Sequence, residues 1–370
     1  MNKRNIFYLT GLGLLIAWAF VSIQQWHDWG GWLLMLFFFS LAIAFRGNKF
    51  LKGLSYTVMI IGVVSFAMYH PEYFKTIGSF KLSALIIPLL QIIMFGMGTE
   101  LSLKDFGNVV RMPKGIIVGV VFHYLIMPLV GFGIANLFHF PNEIAAGIIL
   151  VGCCPSGLAS NVMSYLARAN LALSVSVTTI STLLAPFLTP LLLQWLGGSF
   201  VQINFWGMVW DITKIVIIPI VAGLSFHYLM RGRFNWLDKV MPLLSMGGIA
   251  CILAIMVAAG RDNLLKVGAL LLVATFLHNV AGFFLGYWSA RFLRFTEKDC
   301  RTIALEVGMQ NAGLATGLAL TMGKIATVGL APAIFGPVMN VNGSSLASWW
   351  HNHLPEEKNE EEKTVQVNMS

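Results

Sequence analysis

An all-α polytopic membrane fold follows from three observations on this 370-residue chain. Hydrophobic residues make up 57% of it and charged residues only 11%, and the mean hydropathy is +0.76, which leaves too little polar surface to close a water-soluble globule. The apolar residues fall in long unbroken runs instead of alternating every second position, and backbone amides in lipid must be satisfied within their own element, so the runs are helices and not barrel strands. The formal charge of +8 comes from basic residues scattered singly between the runs, with no basic, aromatic-interleaved patch of the kind that holds nucleic acid.

In chain order, twelve runs have roughly the 17–25 residues that cross a hydrocarbon core of about 30 Å. They are Ile6–Ile23, Gly30–Phe45, Leu54–Tyr69, Leu82–Gly98, Ile116–Leu137, Ile144–Leu166, Leu171–Leu196, Val209–Met230, Val240–Ala259, Val267–Leu293, Ile303–Leu320 and Ala326–Trp350. Residues 1–53 form an additional N-terminal transmembrane hairpin, 54–353 a ten-helix core, and 354–370, Glu-rich and poor in apolar residues, a disordered cytoplasmic tail. The first run carries Lys3 and Arg4 ahead of it and Ala17-Trp18-Ala19 within it, as a signal peptide would, but it continues to Ile23, which favours a retained helix.

Alternate connections differ in basic residues. One set holds Lys3, Arg4, Arg46, Lys49, Lys52, Lys104, Arg111, Lys114, Arg168, Arg231, Arg233, Lys239, Arg291, Arg294, Lys298, Arg301, Lys358 and Lys363; the other holds Lys75, Lys81, Arg261, Lys266 and Lys324. Cytoplasmic loops retain the excess, so both termini are expected in the cytoplasm of a multi-pass protein of the bacterial inner membrane. Cys153, Cys154, Cys251 and Cys300 have no metal-binding spacing and read as small buried apolar residues.

Ser156-Gly157-Leu158-Ala159-Ser160 and Ala312-Gly313-Leu314-Ala315-Thr316 resemble each other. Both lie in the fourth run of a five-run half of the core, about 54–196 and about 206–353. Five spans per half give the halves opposite orientation, the inverted-repeat plan in which discontinuous helices meet near the membrane midplane.

The chemistry is concentrated in those two runs. Pro155 lacks an amide hydrogen and Gly157 is flexible, so the helix breaks there, beside Ser156, Ser160 and Asn161. Taken alone, the break also suits a Pro kink packed against small residues. Glu306-Val307-Gly308-Met309-Gln310-Asn311 places a carboxylate and two amides at depth; an ionisable residue there costs roughly 2.5–3.5 kcal/mol on insertion scales and is read as functional. No Lys or Arg lies in the apolar part of neighbouring runs, which leaves a cation, a proton or water as its partner. Ser174 and Thr178, four apart, share a helix face. One carboxylate among neutral oxygens suits a hard monovalent cation, and sodium is the inference. Asp211 and Lys214 are expected to pair with each other, and His278 and His227 to make core or interfacial hydrogen bonds. His123 lies at depth in the third run of the first half.

These residues resemble the bile acid:sodium symporter family of secondary transporters, from about Ile92–Gly98 through Pro155–Asn161 and Glu306–Asn311 to the last run. The resemblance covers the ten-helix core and not the first fifty or so residues. It implies two sodium sites. The first would use Ser160, Asn161, Ser174, Thr178 and Glu306; the second Glu306 with Val307, Met309 and Gln310, completed in relatives by a Gln where this chain has His123. A neutral imidazole is a poor sodium ligand. Ser156, Asn311 and Asn340 are candidate substrate contacts, and the hydroxyl pattern differs from that usual in relatives, so bile acid itself is not implied.

The expected function is sodium-coupled import of a small organic anion, a carboxylate or sulfonate, by alternating access, with no enzymatic reaction. Two alternatives stay open: proton coupling through Glu306 and His123 on the same scaffold, and a sensor that binds without transporting. An intramembrane hydrolase using Ser156 or Ser160 with His123 lacks any Gly-x-Ser-x-Gly or H-E-x-x-H motif.

Overall fold

The computed structural model describes residues 3–24, 27–48, 54–101, 112–230 and 235–353; the expected tail of 354–370 lies outside them. Every predicted run is helical. The helices of eight or more residues are α1 Lys3–Ile23, α2 His27–Arg46, α3 Ser55–Tyr69, α4 Ile86–Glu100, α5 Pro113–Leu137, α6 Asn142–Cys153, α7 Ala159–Leu166 and α8 Leu171–Gly197. Then come α9, running from Phe205 to Met230 through a π turn at Thr213–Ile217, α10 Asn235–Phe292, α11 Glu297–Gly308, α12 Ala312–Thr321 and α13 Leu330–Asn352. Seven of the described helical stretches are long and apolar enough to cross a membrane by themselves. Between α3 and α4 the chain makes a two-stranded hairpin, Thr76–Ile77 with Phe80–Lys81, turned by Gly78 at a φ of 59°, a backbone conformation glycine adopts without steric penalty.

The ninth and tenth runs, expected as separate helices, form one helical stretch. Straight, 58 residues would extend about 87 Å, nearly three bilayer cores. Its contacts show that it doubles back. Tyr56 Oη donates to Met246 O and Arg261 Nε to Met68 O, so this part runs alongside α3 in the same direction. Asn263 Nδ2 then donates to Ala326 O, His278 lies on Met127, and Phe295, just past α10, sits under Lys114 Nζ at the start of α5. The chain thus goes out along α3 and returns along α5, turning near Gly260–Asn263. It makes the two predicted crossings, with helical hydrogen bonding carried round the turn.

The helices form two bodies. A panel joins α3, α4, α9 and the first half of α10, and the α1–α2 hairpin packs on its α3 edge. Its closest approach is between α4 and α9, where a Cβ on Gly98 would stand 2.2 Å from Ile220 O and one on Gly223 2.1 Å from Phe95 O; only glycines let these backbones touch. The second body joins α5 to α8, the second half of α10, and α11 to α13. Four of the described basic residues lie on two opposite faces. Arg168 meets His351, and Arg301 reaches the ends of α7 and α13, on the face where α5, α8 and α11 begin. Arg261 and Lys324 lie on the opposite face, where Lys324 pairs with Glu143.

Remaining expectations on structural residues are met in part. Lys214 Nζ lies 2.9 Å from Asp211 Oδ1, His278 Nε2 contacts Met127 O at 2.9 Å, and His227 is exposed on α9. Cys153, Cys154 and Cys300 are buried, and Cys251 is half-buried.

Candidate cation and substrate site

Both predicted breaks are present, and they cross. α6 stops at Cys153 and α7 starts at Ala159; α11 stops at Gly308 and α12 starts at Ala312. The two gaps lie antiparallel, Ser156 opposite Gln310, with Gly157 N donating to Met309 O at 3.0 Å and Asn311 N to Pro155 O at 2.8 Å. A helix interrupted in lipid leaves carbonyls without amide partners, and several here are met by side chains. His123 contacts Cys154 O and Glu306 O, Gln310 Nε2 donates to Val307 O at 2.8 Å, and Asn279 Nδ2 to Gly308 O at 2.8 Å.

The first predicted cluster comes together in space. Glu306 is fully buried. Its Oε1 accepts from Ser160 Oγ at 2.6 Å and Ser174 Oγ at 2.5 Å, and its Oε2 from Thr178 Oγ1 at 2.8 Å. Asn161 Oδ1 stands 2.8 Å from Ser174 Oγ and 3.2 Å from Thr178 Oγ1, and Gly157 O 2.8 Å from Ser160 Oγ. Each hydroxyl owns one proton. Ser160, Ser174 and Thr178 thus have three to share, while every one of them has at least two acceptors within reach. Some of these oxygen pairs must face each other without a proton between them, an arrangement that a cation relieves and that supplies the hard oxygen donors a monovalent ion takes. Among the described residues no three His, Cys, Asp or Glu gather to hold a metal.

The predicted substrate residues are less uniform. Ser156 is buried inside the crossing, 3.3 Å from both Ser160 Oγ and Met309 O. Asn311 Oδ1 caps α12 by accepting from Leu314 N at 2.9 Å, which leaves its amide group for a further partner. Asn340 Nδ2 donates to Gly336 O at 2.9 Å, leaving its oxygen. Asn311 and Asn340 are both half-buried. Sequence reasoning missed Asn279, which closes the C-terminus of α11 and itself accepts from Asn342 Nδ2 at 2.9 Å. The signal was there: an amide in the middle of an otherwise apolar run, which at that depth is read as functional until a structural partner is found.

The chain matches the model of the sodium bile acid symporter family over residues 87–267. It is 43% identical over 294 residues to the uncharacterized sodium-dependent transporter YocS of Bacillus subtilis (strain 168), spanning 79% of this chain and 89% of that protein. This chain belongs to the sodium bile acid symporter family. It is also similar to chloroplastic members named probable sodium/metabolite cotransporter: BASS1 of Arabidopsis thaliana, 34% identical over 268 residues and covering 72% of this chain and 67% of the relative, and BASS1 of Oryza sativa subsp. japonica, 32% over 311 residues and 83% and 74%. As a member of this family the protein is a transporter and not an enzyme, and it is an integral multi-pass membrane protein.

Proposed function

We propose that this protein is a sodium-coupled importer of a small organic anion, with both termini in the cytoplasm of a bacterial inner membrane and a core of two inverted five-helix repeats, about 54–196 and about 206–353. The oxygen cage of Ser160, Asn161, Ser174, Thr178 and Glu306, short of protons for its own contacts, carries the sodium part of this reading. Sodium bound there links α7, α8 and α11, so its arrival stiffens the crossing from which substrate is held. The N-terminal ends of α7 and α12 at the breaks favour an anionic carboxylate or sulfonate, with Asn311 and Asn340 as its amide contacts.

Alternating access follows from the two bodies. On the Glu143 face the panel and the crossing body touch: Leu90 and Ile215 pack against the positions of Gly313 and Gly317 on α12, and Gly260 against Leu330. With the Arg301 face taken as cytoplasmic, this is an arrangement closed to the outside, and transport requires the panel to part from α12. An inside-negative membrane drives inward cation movement by about 2.3 kcal/mol per charge per 100 mV.

The test is ligand-dependent thermal stability, together with uptake of an organic-anion panel into proteoliposomes, with sodium replaced by choline at fixed pH. Sodium should raise the melting temperature, and Glu306→Gln should abolish that rise. Uptake indifferent to sodium but driven by a proton gradient would replace this reading with proton coupling, and saturable binding without flux would replace it with a sensor.

A further inference from the structure

His123 is fully buried in the middle of α5, and its ring spans the two broken helices. Nδ1 lies 2.9 Å from Glu306 O on α11, and Nε2 2.8 Å from Cys154 O at the end of α6. A second sodium ion, which the family resemblance leads one to expect, would draw on oxygens of Glu306, Val307, Met309 and Gln310 and on residue 123. Each of those backbone oxygens already meets one partner, so an ion would have to share it. Glu306 O faces His123, Val307 O accepts from Gln310 Nε2, Met309 O from Gly157 N, and Gln310 O from Ala312 N. Gln310 Oε1, buried without a partner, is a single leftover acceptor, and one oxygen is not a cage. An imidazole nitrogen suits zinc, copper or iron better than a hard alkali cation. The residues present do not fit a second sodium ion.

We propose that His123 takes the place of the second ion. The ring fills the gap between the two broken helices from α5, a nitrogen against a carbonyl of each and its one N–H donated to one of them, so transport couples to one sodium ion per cycle, bound at Glu306. This rests on the sodium reading above. With a monoanionic substrate the cycle carries no net charge, where a two-ion cycle would carry one.

The decisive measurement is sodium-22 binding at saturation to the purified full-length protein in lipid nanodiscs, alongside the Hill slope of sodium-induced thermal stabilisation. One ion per chain and a slope near one are expected for the wild type, no ion for Glu306→Gln, and two ions with a steeper slope for His123→Gln, which restores the amide that relatives use. Two ions per chain in the wild type would overturn the proposal and leave the sodium reading standing, whereas no bound sodium would overturn both. A folded His123→Gln that still binds one ion would also overturn it. If that variant does not fold, His123→Asn provides the amide, and the wild-type count decides by itself.

Discussion

Gly157 and Gln310 meet backbone against backbone, so closely that a Cβ on Gly157 would lie 2.7 Å from Gln310 O. The contact holds the two breaks in register, because the bonds on either side of it, Gly157 N to Met309 O and Asn311 N to Pro155 O, run through the same few residues. Gly157→Ala should therefore force the crossing apart. It is expected to destabilise by about 1–3 kcal/mol, as overpacking does, and to remove sodium-induced stabilisation. Gly133, whose Cβ would meet nothing within 4 Å, is the control: Gly133→Ala should be neutral or slightly stabilising in a helix. Thermal denaturation with and without sodium compares them.

Ser174 and Thr178 each present one oxygen to Glu306 and one approach to Asn161. Removing a hydroxyl that faces a charged group forfeits about 1.5–3 kcal/mol, part of which falls on the bound ion. Ser174→Ala and Thr178→Val should each raise the sodium concentration for half-maximal stabilisation about tenfold or more, equivalent to about 1.4 kcal/mol. Thr179→Val removes a hydroxyl bonded instead to Val175 O and should leave the sodium response unchanged.

Arg301 is only 4% exposed and is held by four oxygens: Glu297 Oε1 at 2.9 Å, Trp350 O at 3.0 Å, His353 O at 2.8 Å and Ala167 O at 3.4 Å. It closes the ends of α7 and α13 together at the face where α11 begins. Arg301→Ala leaves those carbonyls and Glu297 without their cation, and a loss of about 3 kcal/mol or more is expected. Arg301→Lys should recover only part of it, since a lysine brings three donors on one nitrogen in place of the planar five-donor fork that spans these four oxygens. Melting temperatures of the three proteins give the order.

On the opposite face Lys324 and Thr327 hold the carboxylate of Glu143, just ahead of the apolar run that starts at Ile144, and their hydrogen bonds push its pKa below the ordinary carboxylate value. A lowered folded-state pKa means that the stabilisation is present above the ordinary value and disappears as pH falls through the lowered one. Both partners are about a third exposed, so solvent screening limits the effect to about 0–1 kcal/mol. Glu143→Gln should lose little stability at neutral pH and flatten the acid limb of the wild-type stability curve, measured by thermal melts between pH 7 and pH 3.

The breaks were legible in the sequence because polar residues inside apolar runs have a direct physical meaning. Pro155 and Gly157 cannot continue a helix in lipid without help, and Glu306 cannot sit there without partners, which turned out to be the hydroxyls four residues apart on α8. The turn inside α10 was not legible as a helix. Arg261, Asp262 and Asn263 interrupt the apolar pattern and so mark a reversal, but whether helical hydrogen bonding persists through it is settled by packing of Arg261 on α3 and Asn263 on the loop before α13. Which residues of the two breaks would touch was not legible, because the contact is made by backbone atoms of Pro155–Gly157 and Met309–Asn311. The ring of His123 was visible as a buried titratable group, but not that it reaches both breaks at once.

The N-terminal hairpin leans on α3, with Ser55 Oγ donating to Ala42 O and Trp18 Nε1 to Tyr69 Oη, and so travels with the panel. Counted with it, the panel presents the bilayer with as many spans as the body that carries the crossing. Viscous drag in lipid grows with the cross-section that must be displaced, so neither body is a small gate swinging on a fixed frame. In the proposed cycle each would recoil from the other, and a probe fixed to the membrane would record both as moving.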